Sequence, residues 1–279
     1  MGGNVQWFFI LESAMPRRRF LAASTSDSAL AAAHAAGVSA APVPGREFYQ
    51  LRRYNLLRGP QPKLTEDFFS GALIPTLARY GMGPVGAFRL DVGPGTPAFY
   101  LLIPGPSIEP LAELDLRLAG DEEFLDAAAP FWNATAAAPA FQRVEISLLA
   151  AFQSWPKLTL PDSSATRGKR IFELRCYENP SNAGHLRKVE MFSTGGELDI
   201  FAAVGLHPVF FGDTLIGSRM PNLTYMLSFA DMAEREAQWE VFSNAPAWKK
   251  LSADPRYAYD QIVTNISNLI LSPLACSQI

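Results

Sequence analysis

Histidine and cysteine are the scarcest chemically versatile residues of this 279-residue chain, with three and two copies. His34, His185 and His207, with Cys176 and Cys276, never approach the spacing of a ligand set, so no metal site is expected. Two cysteines so far apart do not make the framework that staples a small secreted domain, and two isolated thiols are expected instead of a disulfide. Charge is sparse too, at 18% of residues against 48% hydrophobic. A net charge of −3 and a pI of about 5.7 lack the basic excess that neutralises phosphates, which excludes a nucleic-acid partner. No run of 18 or more apolar residues offers a membrane-spanning helix. The GxxxxGK(S/T) phosphate loop and the Gly-x-Ser-x-Gly elbow are missing. The Gly-Pro-rich runs at Gly81 to Gly86 and Gly93 to Pro97 are therefore expected to be turns, and no cofactor is expected.

What is present is a repeat. Phe172, Leu174, Arg175 and Tyr177 stand a constant 123 residues after Tyr49, Leu51, Arg52 and Tyr54. GMGPV at Gly81 to Val85 corresponds to GLHPV at Gly205 to Val209, and the run from Thr96 to Leu102 to that from Met220 to Phe229. A slowly drifting offset is what a duplicated domain with single-residue insertions gives. Four segments follow: a leader over residues 1–44, a first unit over 45–155, a Pro- and Ser-rich linker over 156–168, and a second unit over 169–279. In the leader, Arg17-Arg18-Arg19-Phe20-Leu21 precedes a small-residue segment ending in Ser39-Ala40-Ala41. It resembles a twin-arginine export signal, departing from that pattern only by Asp27 in the apolar stretch. The resemblance implies export to the periplasm or beyond; without a working signal the protein stays in the cytoplasm.

Alternation and capping residues give each unit the order β-α-β-β-α-β. In the first, a strand at Glu47 to Asn55 precedes a helix capped by Thr65 and interrupted at Pro75. Strands at Val85 to Val92 and Ala98 to Ile103, a helical stretch to Trp132 and a strand at Phe141 to Phe152 complete it. In the second, the strand Arg170 to Tyr177 leads to a helix broken at Gly195-Gly196. Strands at Val209 to Ile216 and Asn222 to Phe229 come next, then a helix capped by Asp231 with an Ala233, Ala237, Val241 stripe, and a last strand at about Tyr259 to Leu271. The expected fold class is α+β: two tandem ferredoxin-like units whose bare sheet faces bury each other, a pseudo-dimer within one chain. A further homodimer of that pseudo-dimer is compatible with the sequence.

The runs FELRCY at Phe172 to Tyr177, VGLHPVFFGDTLIG at Val204 to Gly217, LTYMLSFADMAEREAQWEVF at Leu223 to Phe242 and APAWKKL at Ala245 to Leu251 together resemble a NIPSNAP domain. The first unit looks like a degenerate copy, with Gln50 in place of Glu173 and Arg53 in place of Cys176. The resemblance implies a dimeric α+β-barrel-like fold and lends no settled enzymatic activity.

Alternation places Phe172, Leu174 and Cys176 on one face of the Arg170 to Tyr177 strand and Glu173, Arg175 and Tyr177 on the other. The apolar set is expected against the helices. The polar set, with Gln50, Arg52 and Tyr54 from the other copy and Tyr225 from a neighbouring strand, is expected in the barrel interior. There it forms either a pocket for an anion or carbonyl, or an Arg/Glu/Tyr network that satisfies itself. His185 is expected on a solvated helix face. His207, before Pro208 and on the strand of Asp213, is expected in a turn, with general-base work as the sharper alternative. Two function classes stand: a binding module for a small molecule or a protein, and a cofactor-independent enzyme, monooxygenase-like or isomerase-like, working in the barrel lumen.

Overall fold

The computed structural model describes residues 45–279; the Arg17 to Leu21 motif and His34 lie outside them. The first half runs β1 (Phe48–Asn55), α1 (Pro60–Phe68), α2 (Ile74–Arg79), β2 (Gly86–Val92), β3 (Ala98–Gly105), α3 (Ile108–Ala112), α4 (Leu114–Leu118), α5 (Glu122–Trp132) and β4 (Arg143–Ala151). After α6 (Asp162–Thr166) in the linker, the second half runs β5 (Ile171–Glu178), α7 (Asn182–Phe192), α8 (Glu197–Ala203), β6 (His207–Ile216), β7 (Asn222–Phe229), α9 (Met232–Asn244), α10 (Pro246–Ser252), α11 (Tyr259–Ile262) and β8 (Asn265–Pro273). No helix among the described residues is long and apolar enough to cross a membrane.

All eight strands pair antiparallel in one closed barrel of order β1-β3-β2-β8-β5-β7-β6-β4. Within it β4-β1-β3-β2 and β8-β5-β7-β6 have the same order, the arrangement of a ferredoxin-like sheet. The two sheets join at two seams, β2 to β8 and β4 to β6, each through a register shift. Closure leaves no unpaired edge for aggregation.

The local elements follow their sequence signals with instructive exceptions. Asp231 caps α9 by accepting from the amides of Ala233 and Glu234, and Gly196, at a φ of 93°, lets α8 start after the break. Thr65 is no cap. The helix begins at Pro60, whose ring suits a first helical position, and Thr65 is buried inside it, donating to the Gln61 carbonyl at 2.8 Å. Ahead of Pro75 the helix widens into a π turn over Phe69–Leu73 and then resumes as α2, which accommodates the ring without a break. Gly81 to Gly86 happens to spell GxGxxG, but it leads from α2 into β2, whereas a dinucleotide-binding glycine run leads from a strand into a helix.

Three apolar layers result. Inside the barrel, Tyr49, Phe88, Phe172, Phe210, Met226 and Leu271 fill the space between the sheets, with Phe88 and Phe172 edge to face at 4.8 Å. Burying each of these large side chains contributes about 1.5–3 kcal/mol. Outside, one layer lies between the first sheet and its helices and holds Tyr54, Phe69, Phe124 and Phe131. The other, around Tyr177, Phe192, Phe201, Phe211 and Tyr225, lies under the helices of the second half.

The faces of β5 are thus the reverse of the expectation. Phe172 and Leu174 point into the barrel, and Glu173, Arg175 and Tyr177 point out beneath the helices. On β1 the same reversal places Gln50, Arg52 and Tyr54 beneath α3, α4 and α5. The physical reason is the supply of partners. The middle of the lumen is packed with apolar side chains that offer none, whereas the helices covering the outer faces bring Arg235 and Trp239 to Glu173 and Asp115 to Arg52.

Candidate functional site

Glu173 is fully buried on β5 and accepts three hydrogen bonds: from Arg175 at 3.0 Å, from Arg235 at 2.5 Å and from the Trp239 indole at 2.7 Å. Arg235 and Trp239 belong to α9, so this carboxylate ties the helix to the sheet. Arg175 donates onward to the Tyr177 hydroxyl at 3.0 Å and lies over the Trp239 ring at 4.5 Å. Tyr177 stacks with Tyr225, their hydroxyls 3.5 Å apart. Burial pulls the Arg175 guanidinium toward losing its proton, but Tyr225, Tyr177 and Glu173 more than offset this, so its pKa stands above the ordinary value. Burial also holds Tyr225 protonated, against the pull of Arg175.

A second buried pair adjoins it. Lys188 on α7 donates to Glu197 on α8 at 2.9 Å and to Tyr259 at 3.2 Å, and its ammonium sits 4.2 Å from the centre of the Phe192 ring. Burial raises the Glu197 pKa and Lys188 lowers it. Two carboxylates, Glu173 and Glu197, therefore face three cations, Arg175, Arg235 and Lys188. Water reaches Arg235 most, at a fifth exposed, Arg175 less, and Lys188 not at all.

The structure brings Glu173, Arg175, Tyr177 and Tyr225 together, as the sequence reading expects, but under α9 and largely satisfied by protein groups. Among the described residues, the Nε atoms of Arg175 and Arg235 and the Oε1 of Gln238 on α9 are buried without a partner. This is the geometry of a network that fixes a helix onto a sheet. Arg52 and Tyr54 form the counterpart in the first half. Arg52 donates to Gln50 at 2.5 Å and to Asp115 at 2.8 Å, Gln50 donates to the Leu111 carbonyl at 2.6 Å, and Tyr54 packs edge to face on Phe69.

The histidines divide differently. His185 is buried, its ring nitrogens 2.9 Å from the Asn179 side-chain oxygen and 2.7 Å from an Asp213 oxygen, which corrects the solvated-face expectation. Asp213 is therefore His185's partner, and His207 is exposed at the start of β6, its side chain making no hydrogen bond to the Glu173 network.

Open space lies elsewhere. Within the lumen the described residues leave a cavity of only about 80 Å³, at the end nearest the β6–β7 hairpin. That is far below the several hundred Å³ a lumen ligand needs. Outside the barrel, the linker, α8 and the adjoining ends of β6 and β7 enclose a cleft of about 540 Å³. Trp155, Leu160, Leu198, Leu206 and Phe229 give it an apolar surface, and His207, Lys169, Asp162 and Glu234 are among its polar groups. Beyond His207 this cleft has no sequence signal, because its walls come from separate segments of the chain. Trp239 was readable: with the helix start set by Asp231, Arg235, Trp239 and Phe242 share one face.

Residues 172–278 match the NIPSNAP family. Among solved structures, a candidate monooxygenase from Lactobacillus acidophilus is similar at 10% identity, over 82% of this chain and 94% of its own, with a TM-score of 0.52. A second, from Fusobacterium nucleatum, is similar at 7% identity, over 83% and 94%, with a TM-score of 0.52. A NIPSNAP-like domain protein from Burkholderia xenovorans matches 38% of this chain and 87% of its own at 20% identity, with a TM-score of 0.34. No curated protein matches the chain. At such identities the first two carry over the eight-stranded α+β barrel and no chemistry.

Proposed function

We infer that this chain, with a NIPSNAP domain over residues 172–278, is a binding module for a small molecule with an apolar body, held in the cleft outside the barrel. The observation that carries the reading is the cleft itself. Its volume of about 540 Å³ falls in the range of small-molecule sites, and its mostly apolar lining with a few polar groups has the composition of one. The lumen, by contrast, is filled by aromatic side chains, which removes the support for an enzyme that works inside it. Within the cleft, His207 and Lys169 supply nitrogen donors, beside the Asp162 and Glu234 carboxylates, to orient the polar end of a ligand.

Two further elements belong to this reading. The matching sheet orders and the 123-residue offset support a duplication in which the first half, residues 45–155, is a diverged copy of the NIPSNAP half. The Arg17 to Leu21 motif supports export.

A screen of small apolar acids, amides and alcohols for a rise in unfolding temperature tests the assignment. Ala202 lines the cleft from α8 and is exposed, so Ala202→Trp fills the space without disturbing the core. Compounds that stabilise the wild type and not this variant support the cleft. A set in which no compound stabilises the wild type contradicts it.

A further inference from the structure

The two halves of the barrel are equivalent in register and unlike in side chains where the lumen opens. In the first half Arg53 of β1 stands opposite Glu145 of β4 and Tyr100 of β3. In the second half Cys176 of β5 stands opposite Ser267 of β8 and Thr224 of β7. The same three-residue row therefore carries long charged and aromatic groups on one side of the lumen and short hydroxyl or thiol groups on the other. The volume missing from the second row is the cavity of about 80 Å³, lined by all six residues. Liquid water occupies about 30 Å³ per molecule, so the space suits a group of a few non-hydrogen atoms.

Its donors outnumber the partners the protein supplies. The Arg53 Nε is buried without a hydrogen-bond partner, although Nη2 donates to the Pro94 carbonyl at 2.8 Å and Nη1 lies 3.8 Å from Glu145. Arg219 arrives from the β6–β7 hairpin, donating to Ser267 at 3.0 Å and to Glu178 at 3.3 Å. The carboxylate of Glu145 also lines the cavity; it is half exposed and shared with Arg143, which draws it toward solvent. Burial raises the pKa of the Tyr100 hydroxyl while Arg53 and Arg219 pull it back, so both guanidiniums act on the same spot.

We propose that the lumen mouth between Arg53, Arg219, Tyr100 and the Cys176 row is a binding site for a small oxyanion, a carboxylate or a phosphate group. Guanidinium forks match such groups in charge and plane, and hydroxyls of Tyr100, Thr224 and Ser267 can complete the shell. The site is separate from the cleft and stands whether or not the cleft holds a ligand.

Cys176 is a built-in reporter, because it lines this cavity and Cys276 does not. The intact protein is treated with N-ethylmaleimide in acetate, in inorganic phosphate, or in chloride of equal ionic strength, and adducts at the two thiols are measured by peptide mass. The proposal expects acetate or phosphate to slow modification of Cys176 saturably while Cys276 reacts unchanged. Protection by acetate alone points to a carboxylate ligand, and by phosphate alone to a phosphate. Losing one charge-assisted contact, in Arg53→Gln or in the more exposed Arg219→Gln, should raise the protecting concentration about 10- to 100-fold. Calorimetric titration with the same two anions reads the site independently of thiol reactivity. No saturable protection and no saturable heat, or protection unaltered in both variants, overturns the proposal.

Discussion

Replacing Glu173 with Gln tests whether the buried network is what fixes α9 to the sheet. The carboxylate accepts from Arg175, Arg235 and Trp239, and nothing of it is exposed. Glutamine keeps one acceptor and turns the other into a donor facing an N–H. At least one charge-assisted bond is lost, and two guanidiniums are left without a counter-charge. Breaking a buried pair from one side costs about 3–5 kcal/mol. The lower half of that range applies here, because Arg175 and Arg235 keep some contact with water, at 12% and 20% exposure. For a domain of this size about 3 kcal/mol lowers the unfolding midpoint by about 6–12 °C. Urea unfolding of wild type, Glu173→Gln, Arg175→Ala and the double variant gives the coupling directly. The structure predicts a coupling of about 1 kcal/mol or more between contacting residues. A Glu173→Gln protein within about 0.5 kcal/mol of wild type, or a coupling of about zero, would refute the assigned role.

Lys188→Met should destabilise by about 3–5 kcal/mol because Glu197 is then buried without its cation, whereas Lys188→Met with Glu197→Gln should recover most of the loss; equal losses in the two proteins would rule out pairing. Asp121 caps α5 through the Phe124 amide and also binds Arg79 and Tyr80, which lowers its pKa to about 2 from an ordinary 3.8. Because the folded value is the depressed one, its contribution is present above about pH 4 and lost as pH falls toward 2. The stability gap between wild type and Asp121→Asn should accordingly close across that window, and a gap independent of pH contradicts the cap. Arg17→Lys with Arg18→Lys should retain the unprocessed protein in the cytoplasm if the leader is a twin-arginine signal; unchanged export would reject it.

Much of the architecture was legible because it is local. Asp231 before Met232 to Glu236, the Gly195-Gly196 pair and most strand alternations act within a few residues and stand where expected; the exception is the last strand, expected from about Tyr259, where Tyr259–Ile262 forms α11 and β8 starts only at Asn265. The matching spacing of Tyr49 to Tyr54 and Phe172 to Tyr177 pointed further, to two sheets of the same order closing on each other. What was not legible is which side of a strand faces which layer. Alternation separates Glu173 from Phe172 but does not say which of the two meets a helix, and here the polar set does. On α9 the face turned to the sheet is likewise the polar and aromatic one. The Ala233, Ala237, Val241 stripe is exposed, because Arg235, Trp239 and Phe242 supply the contacts Glu173 and Phe201 need. His185 was misread since its partners, Asn179 and Asp213, come from either side of a helix pair. The difference between Arg53 and Cys176 was visible in the sequence, but only the register of six strands turns it into a cavity.

The most direct test of the binding assignment is an equilibrium titration of anilinonaphthalene sulfonate, an apolar anion, into wild type and Ala202→Trp. A ligand-sized apolar cleft predicts one saturable site on the wild type, with energy transfer from Trp155 that Trp155→Phe removes, and loss of that site in Ala202→Trp. Identical saturable binding in wild type and Ala202→Trp, or no saturable binding by the wild type, would contradict it.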